Sequence, residues 1–483
     1  MAKPDKLPLK ALYNQASVNP KVVLMPAAVN SMALNSFLAV RYGAPKKPYT
    51  SERIKGLHTI YLKDKTVFVG RGNGSTFGIP TFEFDRATHL SPLTSPKFML
   101  ESGYNMMMVT PERLATSDYV RRNGLVHVVS DSGGFQLSKG VTEFMDLDEV
   151  SSFYARKINI GIGMDIPVPR HLQSTEWFLR MCRVMLKNNT YIANKIKGTG
   201  CELYDVSHGL TLENRQKFLK YVLDHKVGSG LAMGGIGQSN YDNQLTSLTA
   251  SIINMCYVLS TAKGAYDRFH ILGTMSPFHV ALYNILTITG VAPLISADSS
   301  TFSQASLGMW TRGTIISRKE QVSASPLETL AAPFGIGCNC PVCSIAGDAQ
   351  VYRMSQDANA VHTLHVQHRQ FEIIGSMTKL YLDGKLPLDE LLLILQPRKA
   401  LWPLLRQLVA FVCSMDKGFD KAMAIHGSAL KEFMRKNKED KGLFSAAQKL
   451  NDQHKKAEAN VTRAIARYED FHGLKTTKTK GKK

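Results

Sequence analysis

Acidic residues stand at the ends of three short apolar runs. These residues are Asp131, Asp165 and Asp298. Carboxylates gathered around one cavity suit the cleavage of a glycosidic bond, because one can attack the carbon that becomes positively charged while another carries the proton of the leaving group. The third could accept hydrogen bonds from a donor-rich edge such as that of guanine. Each aspartate by itself is equally typical of a residue that caps the helix after a strand.

Three closely spaced cysteines form a second candidate site. Cys338, Cys340 and Cys343 bring three thiolates into one tight turn, and His362, His365 and His368 follow 19 to 25 residues after the last cysteine. Because structural Zn²⁺ takes four ligands, we predict one zinc ion per chain, held by these cysteines and one histidine and serving to stabilise the fold. An iron–sulfur cluster and free thiols are the alternatives. The chain has seven cysteines, an odd number that argues against a disulfide framework in a reducing compartment.

Short apolar runs alternate with longer segments of helical period. The runs are typical of strands buried on both faces of a parallel sheet. We therefore predict an α/β fold with a (β/α)8 TIM-like barrel over roughly 60–310, with an open doubly wound sheet as the main alternative. Active-site groups of such a barrel lie at the carboxyl ends of its strands. The runs are TVFVG (66–70), NMMMVT (105–110), LVHVVSD (125–131), IGIGMDI (160–166), ELYDVSH (202–208), GLAMGG (230–235), RFHILGT (268–274) and PLISADSS (293–300).

Helices are predicted between these runs and beyond them. Thr211 is a good N-cap for a helix ending near residue 225, and Gly290 is a plausible C-cap for the helix that begins near 275. Segments 174–196 and 241–262 have the same character, whereas GRGNGSTFG (70–78) is predicted to be a loop. The apolar stretch 386–412 should be helical with breaks near Pro397 and Pro403.

Changes in composition divide the chain into five predicted parts. The N-terminal extension, in which VVLMPA at 22–27 could be a strand, is followed by the catalytic barrel, a zinc-binding subdomain, a basic helical region and a disordered basic tail. Their boundaries are 1–60, 61–330, 331–375, 376–472 and 473–483.

The charge balance points to a polyanionic partner. Lys and Arg number 59 against 39 Asp and Glu, which gives a formal net charge of +20. Nucleic acid is the commonest partner of such a chain, and solubility alone is the alternative. No apolar run approaches the ~18 residues of a membrane span, and the first residues lack the features of a secretory signal. We therefore expect a cytoplasmic protein without a membrane partner, and a homodimer is left open.

Four segments, in order, resemble motifs of the tRNA-guanine transglycosylase superfamily. VVSDSGGFQL (128–137) resembles its DSGGFQ motif, and GLAMGG (230–235) is similar to its GGLAVG loop. ISADSS (295–300) resembles the segment with the nucleophilic aspartate, and CNCPVC (338–343) resembles the zinc motif. The resemblance implies a TIM-like barrel that exchanges a guanine base in a polynucleotide through a covalent intermediate.

The resemblance also implies roles for the aspartates. Asp298 would attack C1′ of the nucleoside, Asp131 would act as general acid and base and help hold the bound base, and Asp165 would pair with the Watson–Crick edge of the base. The other implied base-binding residues are Ser132, Gly133, Ser207, His208, Gly230, Leu231 and Ala232.

The fourth zinc ligand follows from the same resemblance. The segment TLHVQHRQFEI (363–373) resembles the family's helix with the zinc-binding histidine, so His365 is the best candidate and His368 the alternative. The family's asparagine after that histidine is Val366 here.

Departures from the tRNA enzymes shift the expected substrate. The family's glutamine turn V-Q-G-G reads Val206-Ser207-His208-Gly209, the Cys-Val-x-Pro-Thr-Arg run beside the nucleophile is absent, and the first hundred residues do not match. The chain looks more like the divergent branch, found in bacteria and phages, that replaces guanine in DNA with a free 7-deazaguanine base. Action on tRNA is the alternative. A non-catalytic nucleic-acid-binding homologue is another, against which the retained Asp131, Asp165 and Asp298 argue.

Overall fold

The computed structural model describes most of the predicted barrel and the C-terminal helices. The described residues are 19, 21–26, 57–61, 66–71, 77–80, 106–109, 127–134, 137, 145–166, 175–209, 211–236, 244–299, 356–396, 399–437 and 444–474. The strands among them are β1 Val22–Pro26, β2 Leu57–Tyr61, β3 Thr66–Arg71, β4 Phe77–Pro80, β5 Met106–Val109, β6 His127–Ser130, β7 Ile160–Ile162, β8 Glu202–Ser207, β9 Gly230–Met233, β10 Phe269–Ile271 and β11 Ile295–Ser299.

Helices separate the later strands and make up the C-terminal part. They are α1 Leu147–Lys157, α2 Thr175–Ile196, α3 Leu212–Asp224, α4 Gln244–Ala262, α5 Pro277–Ile288, α6 Gln356–Leu382, α7 Leu388–Leu395, α8 Trp402–Cys413, α9 Phe419–Asn437 and α10 Phe444–Phe471. None of these described helices has the length and apolar character needed to cross a membrane.

Eight strands form one parallel sheet in the order β1-β11-β10-β9-β8-β7-β6-β5. The end strands β1 and β5 also contact each other, so the sheet curls in the manner of a TIM-like barrel. From β6 onward a described helix lies between each strand and the next, as is usual for crossovers between parallel strands. The predicted α/β class with a curled parallel sheet is confirmed.

The predicted start of the barrel is wrong. TVFVG (66–70) lies in β3, which pairs antiparallel with β2 and β4 in a separate three-stranded sheet. The eighth parallel strand is β1, from the segment that the sequence assigned to the N-terminal extension; Val22 of this strand pairs with Ile295 of β11. Both runs are short and apolar, and such a run does not reveal whether its partner strand is parallel or antiparallel.

Local capping signals in the sequence agree with the helix ends. The Thr211 side chain accepts a hydrogen bond from the backbone N–H of Asn214 at the start of α3, as predicted. Gly290 follows the last turn of α5 with φ +75°, a conformation that glycine adopts at little cost. Pro403 stands in the first turn of α8, where its missing N–H costs nothing, and so does not break that helix.

The C-terminal helices pack on the barrel. α6 lies against α5, α9 against α4 and α8, and α10 against α2. α6 runs without interruption from Gln356, so the predicted boundary at 375/376 falls inside one helix. On α10, the fully buried Tyr468 donates a hydrogen bond to the Met145 carbonyl at 3.0 Å, and Glu469 pairs with Arg180 on α2. The last helix is therefore part of the folded body, whereas residues 475–483 lie outside the described residues.

Candidate active site

Strand register brings polar side chains to one face of the sheet. Val206 pairs with Ala232, Ala232 with His270, and His270 with Ser296. Because paired residues of parallel strands share a face and side chains alternate along a strand, Asp298 projects from the same face as His270. The polar residues at the carboxyl ends of these strands, here called the strand-end cluster, are Asp131, Asp165, His208, His270 and Asp298.

Asp298 is held near the end of β11 by one backbone hydrogen bond, and a histidine lies beside it. The backbone N–H of Gly273 donates to its Oδ1 at 2.7 Å, and His270 Nε2 lies 3.3 Å from the same oxygen. The hydroxyl of Ser296 donates to the carbonyl of Phe269, so it accepts at 3.0 Å from Nδ1–H of His270. The imidazole is thereby fixed with Nε2 toward the carboxylate. Asp298 is buried and oriented, as a nucleophile must be.

Asp131 follows β6 and can exchange a proton near neutral pH. Burial and the charge of Asp298 raise its pKa to about 6, against the opposing effect of the backbone N–H groups of Ser132 and Gly133. A carboxyl group whose pKa lies close to the working pH is suited to act as a general acid in one step and a general base in the next.

Asp165 is anchored through its backbone. Its N–H donates to Ser132 Oγ at 2.9 Å, and the preceding N–H of Met164 donates to Asn189 Oδ1 of α2 at 2.8 Å. Burial and the charge of Asp131 raise the pKa of the Asp165 carboxyl to about 7, while the positive charge of Arg215 opposes this rise. The segment is fixed, and the carboxyl itself remains available for a ligand.

His208 faces Asp165 across a glycine turn. His208 Nε2 lies 3.6 Å from Asp165 Oδ1, and the Gly209 N–H donates to His208 Nδ1 at 2.8 Å. A Cβ at Gly234 would lie 2.4 Å from Asp165 Oδ1 and 2.6 Å from His208 Cδ2. Gly235 has φ +74°, and a Cβ there would lie 2.8 Å from His208 Cε1. Only glycine at these two positions leaves room for the pair.

Arg215 of α3 lies buried beneath these loops. Its Nη1 donates to the Ser207 carbonyl at 2.8 Å, and its Nη2 donates to the carbonyls of Gly209 and Gly234 at 2.7 and 2.8 Å. Burial lowers its pKa to about 9, which leaves the guanidinium charged at neutral pH. One cation thus joins the ends of β8 and β9 and adds positive charge behind Asp165.

The structure brings only part of the predicted base-binding set to the cluster. Ser132 is buried and occupied with the Asp165 N–H. Ser207 alternates with Val206 and so points away from the face that carries His270. Gly230, Leu231 and Ala232 lie within β9, whose backbone pairs with β8 and β10, while the turn that reaches Asp165 is Gly234-Gly235.

Most of the predicted zinc ligands lie outside the described residues. Cys338, Cys340 and Cys343 lie outside the described residues, as does the side chain of His365, which belongs to α6. His368 Nδ1 lies 3.8 Å from Glu372 Oε1 on the same helix. Among the described residues no group of three potential ligands could hold a metal ion. The zinc site stays a prediction.

Two members of the site were missed in the sequence. His270 had a signal, a polar residue in the middle of the apolar run RFHILGT, which is unusual for a strand buried on both faces. Arg215 had none, because an arginine in the first turns of an amphipathic helix is typical of a solvent-exposed residue.

The cluster can support attack by one carboxylate and proton transfer by another. Asp298 is oriented and Asp131 is poised to exchange a proton, while Asp165 offers hydrogen-bonding oxygens beside them. No protein-family model matches this chain, and a search of curated proteins finds no significant match.

Proposed function

We propose that this chain is a pentosyltransferase that replaces guanine in DNA with a free 7-deazaguanine base through a covalent intermediate on Asp298. The observation that carries the proposal is the pairing of an oriented Asp298 with Asp131, whose pKa is raised to about 6 partly by the Asp298 charge. Two interacting carboxyl groups with different environments are typical of sites that cleave glycosidic bonds. The resemblance of the sequence motifs supplies the substrate class.

The exchange needs two displacements at C1′. In the first, an Asp298 oxygen bonds to C1′, the C1′–N9 bond breaks, and Asp131 gives its proton to N9 of the departing guanine. In the second, Asp131 takes the N9 proton of the incoming 7-deazaguanine, N9 bonds to C1′, and the Asp298 carboxylate leaves. Asp131 thus ends protonated as it began.

Recognition of both bases would fall to Asp165. Its ionised carboxylate accepts hydrogen bonds only, which suits the N1–H and exocyclic amino group shared by guanine and its 7-deaza analogues. The net charge of +20 supports a polyanionic substrate. Zinc bound by Cys338, Cys340, Cys343 and a histidine would stabilise the fold in this proposal and takes no part in the chemistry.

A trapping experiment tests the proposal. Asp298→Asn should lower base exchange by at least about a thousandfold and abolish a covalent DNA adduct on denaturing gels, because the nucleophile is removed. Asp224→Asn is the matched control, since Asp224 ends α3 on the surface and pairs with Lys220.

Each outcome has a defined meaning. Adducts and labelled-base incorporation with DNA but not with tRNA support the proposal. An adduct with tRNA alone would show that tRNA is the substrate. Folded parent protein that binds nucleic acid without adduct or exchange would identify a non-catalytic homologue, and normal exchange by Asp298→Asn would remove Asp298 from the mechanism.

A further inference from the structure

We propose that His208 is a positioning residue whose Nε2–H holds the Asp165 carboxylate as an acceptor for the N–H groups of a bound base. This inference deepens the proposed function and depends on it only for the identity of the base. The interaction between the two side chains can be tested without any exchange reaction.

The proton on His208 is placed by its neighbour. Gly209 N–H donates to Nδ1 at 2.8 Å, so Nδ1 carries a lone pair and Nε2 carries the hydrogen of the neutral imidazole. The ring is fully buried, and burial together with the charge of Arg215 keeps its pKa well below the ordinary value. His208 is therefore a fixed neutral donor.

Donor and acceptor face each other with no other partner. Within the part of the chain that the structure describes, neither His208 Nε2 nor Asp165 Oδ1 makes a hydrogen bond, and both atoms are buried. They lie 3.6 Å apart. A carboxylate movement of about 0.7 Å closes this distance to that of a normal N–H···O bond. Once the bond forms, Asp165 Oδ2 and the second lone pair of Oδ1 remain for a ligand.

The charged groups around Asp165 have opposing effects on its ionisation, so a hydrogen bond from His208 can shift the balance. The Asp131 charge opposes ionisation of Asp165, and Arg215 favours it. Arg215, however, directs both Nη groups at the carbonyls of Ser207, Gly209 and Gly234. Of these two neighbours, His208 has the nitrogen that lies near the carboxylate, 3.6 Å from Oδ1. The Gly234-Gly235 turn packs against both side chains.

The protonation state of Asp165 determines which bases it can bind. An aspartic acid that keeps its proton presents one donor, whereas the carboxylate presents acceptors only. By favouring the carboxylate, His208 selects a ligand with adjacent N–H donors and disfavours one that presents an acceptor there, such as adenine.

Matched variants separate the donor from the rest of the side chain. His208→Asn keeps an amide oxygen that can accept from the Gly209 N–H but has no N–H at the Nε2 position. His208→Gln carries an amide N–H at the distance of Nε2. If His208→Asn does not fold, His208→Met fills the same volume without a donor and replaces it in the comparison.

The first measurement is the titration of Asp165 itself. Infrared spectra of protein carrying ¹³C-labelled aspartate, with Asp165→Asn used to assign the band, report the protonated carboxyl directly. We expect the midpoint in His208→Asn to move up by about one pH unit, because the charged form no longer receives a hydrogen bond, and to return in His208→Gln.

The second measurement is binding of free guanine, with adenine for comparison, by calorimetry between about pH 6 and 8. The pKa of about 7 for Asp165 includes no hydrogen bond from His208, so we expect the parent to titrate about one unit below His208→Asn. At the parent's midpoint this difference leaves about a tenth of Asp165 ionised in His208→Asn instead of half, so guanine should bind about fivefold more weakly there. A titration shift without any guanine binding would keep the positioning role and refute the proposed base. An unshifted midpoint in folded His208→Asn or His208→Met would overturn the inference.

Discussion

Single buried carboxyl groups set the electrostatic character of the strand-end cluster. Asp165 is buried, and burial together with the charge of Asp131 opposes its ionisation. Proteins tolerate such a cost where the charged group has a task, and the raised pKa values place proton exchange near neutral pH. The same cost makes the stability of the folded protein depend on pH.

We predict that Asp165→Asn stabilises the protein at pH 8 but not at pH 4. The folded-state pKa of Asp165 is raised from 3.8 to about 7, so the folded protein binds this proton more tightly than the unfolded chain does. The contribution of Asp165 to the free energy of unfolding therefore falls by about 2–4 kcal/mol as pH rises from about 4 to 7. Above pH 7 this contribution stays constant. Asparagine does not titrate in this range, so the variant lacks this loss of stability.

Urea unfolding at several pH values measures this difference. The free energy of unfolding of Asp165→Asn minus that of the parent should grow across the interval, whereas Asp224→Asn on the surface of α3 should show no comparable growth. Parallel pH profiles for Asp165→Asn and the parent would contradict the prediction.

The carboxyl ends of β8 and β9 depend on α3 for their position. A buried guanidinium donates to three carbonyls in two different loops, a geometry that its planar fork allows and a single ammonium does not. Arg215 thus links the helix after β8 to the turn after β9, and its hydrogen bonds hold the two loops in place.

We predict that Arg215→Lys lowers the free energy of unfolding by about 2–4 kcal/mol, because buried carbonyls lose their donors and a buried charge loses its partners. Base binding should weaken as well, since the turn beside Asp165 is released. Lys217→Ala on the same helix is the control, because its solvent-exposed pair with Glu213 should contribute little to stability. Equal denaturation midpoints for the two variants would show that Arg215 has no such role.

At the scale of the whole molecule, the basic C-terminal region consists of a helix packed on the barrel and a lysine-rich end. Tyr468 of α10 is bonded to the Met145 carbonyl just before α1, and Glu469 pairs with Arg180 of α2. Just after α10, His472 Nε2 lies 2.7 Å from Asn188 Oδ1 of α2. The segment beyond Leu474 reads KTTKTKGKK and carries five lysines. The first part packs on the folded body, and we predict that the second binds phosphate groups.

We predict that two truncations separate these roles. Removal of residues 475–483 should leave the thermal unfolding midpoint unchanged. It should make the dependence of log K for DNA on log salt less steep, by about 0.7–0.9 for each phosphate group that the protein no longer neutralises. Removal from residue 441 onward should also destabilise the protein, because it takes away α10. If the shorter truncation leaves the salt slope unaltered, the last nine residues serve solubility alone and the residues that bind the polyanion lie elsewhere.

The sequence by itself determined the features that depend on local pattern. Apolar runs of strand length, the Thr211 cap and the glycine after α5 all follow from residue types at short spacing, and the structure confirms them. Asp131, Asp165 and Asp298 could be singled out because each stands at a strand end, and the carboxyl ends of parallel strands meet at one edge of the sheet.

Only the tertiary structure decided which interactions join those ends. The assignment of β1 to the parallel sheet, the burial of Arg215 under two loops and the opposition of His208 to Asp165 each join residues from separate segments. Ser207 and Ala232 were both expected to bind the base. Ser207 points to the other face of the sheet, whereas Ala232 shares the face of His270 but lies within β9, which pairs with β8 and β10. These contacts join residues that are far apart in the chain, so short-range patterns of residue type could not specify them.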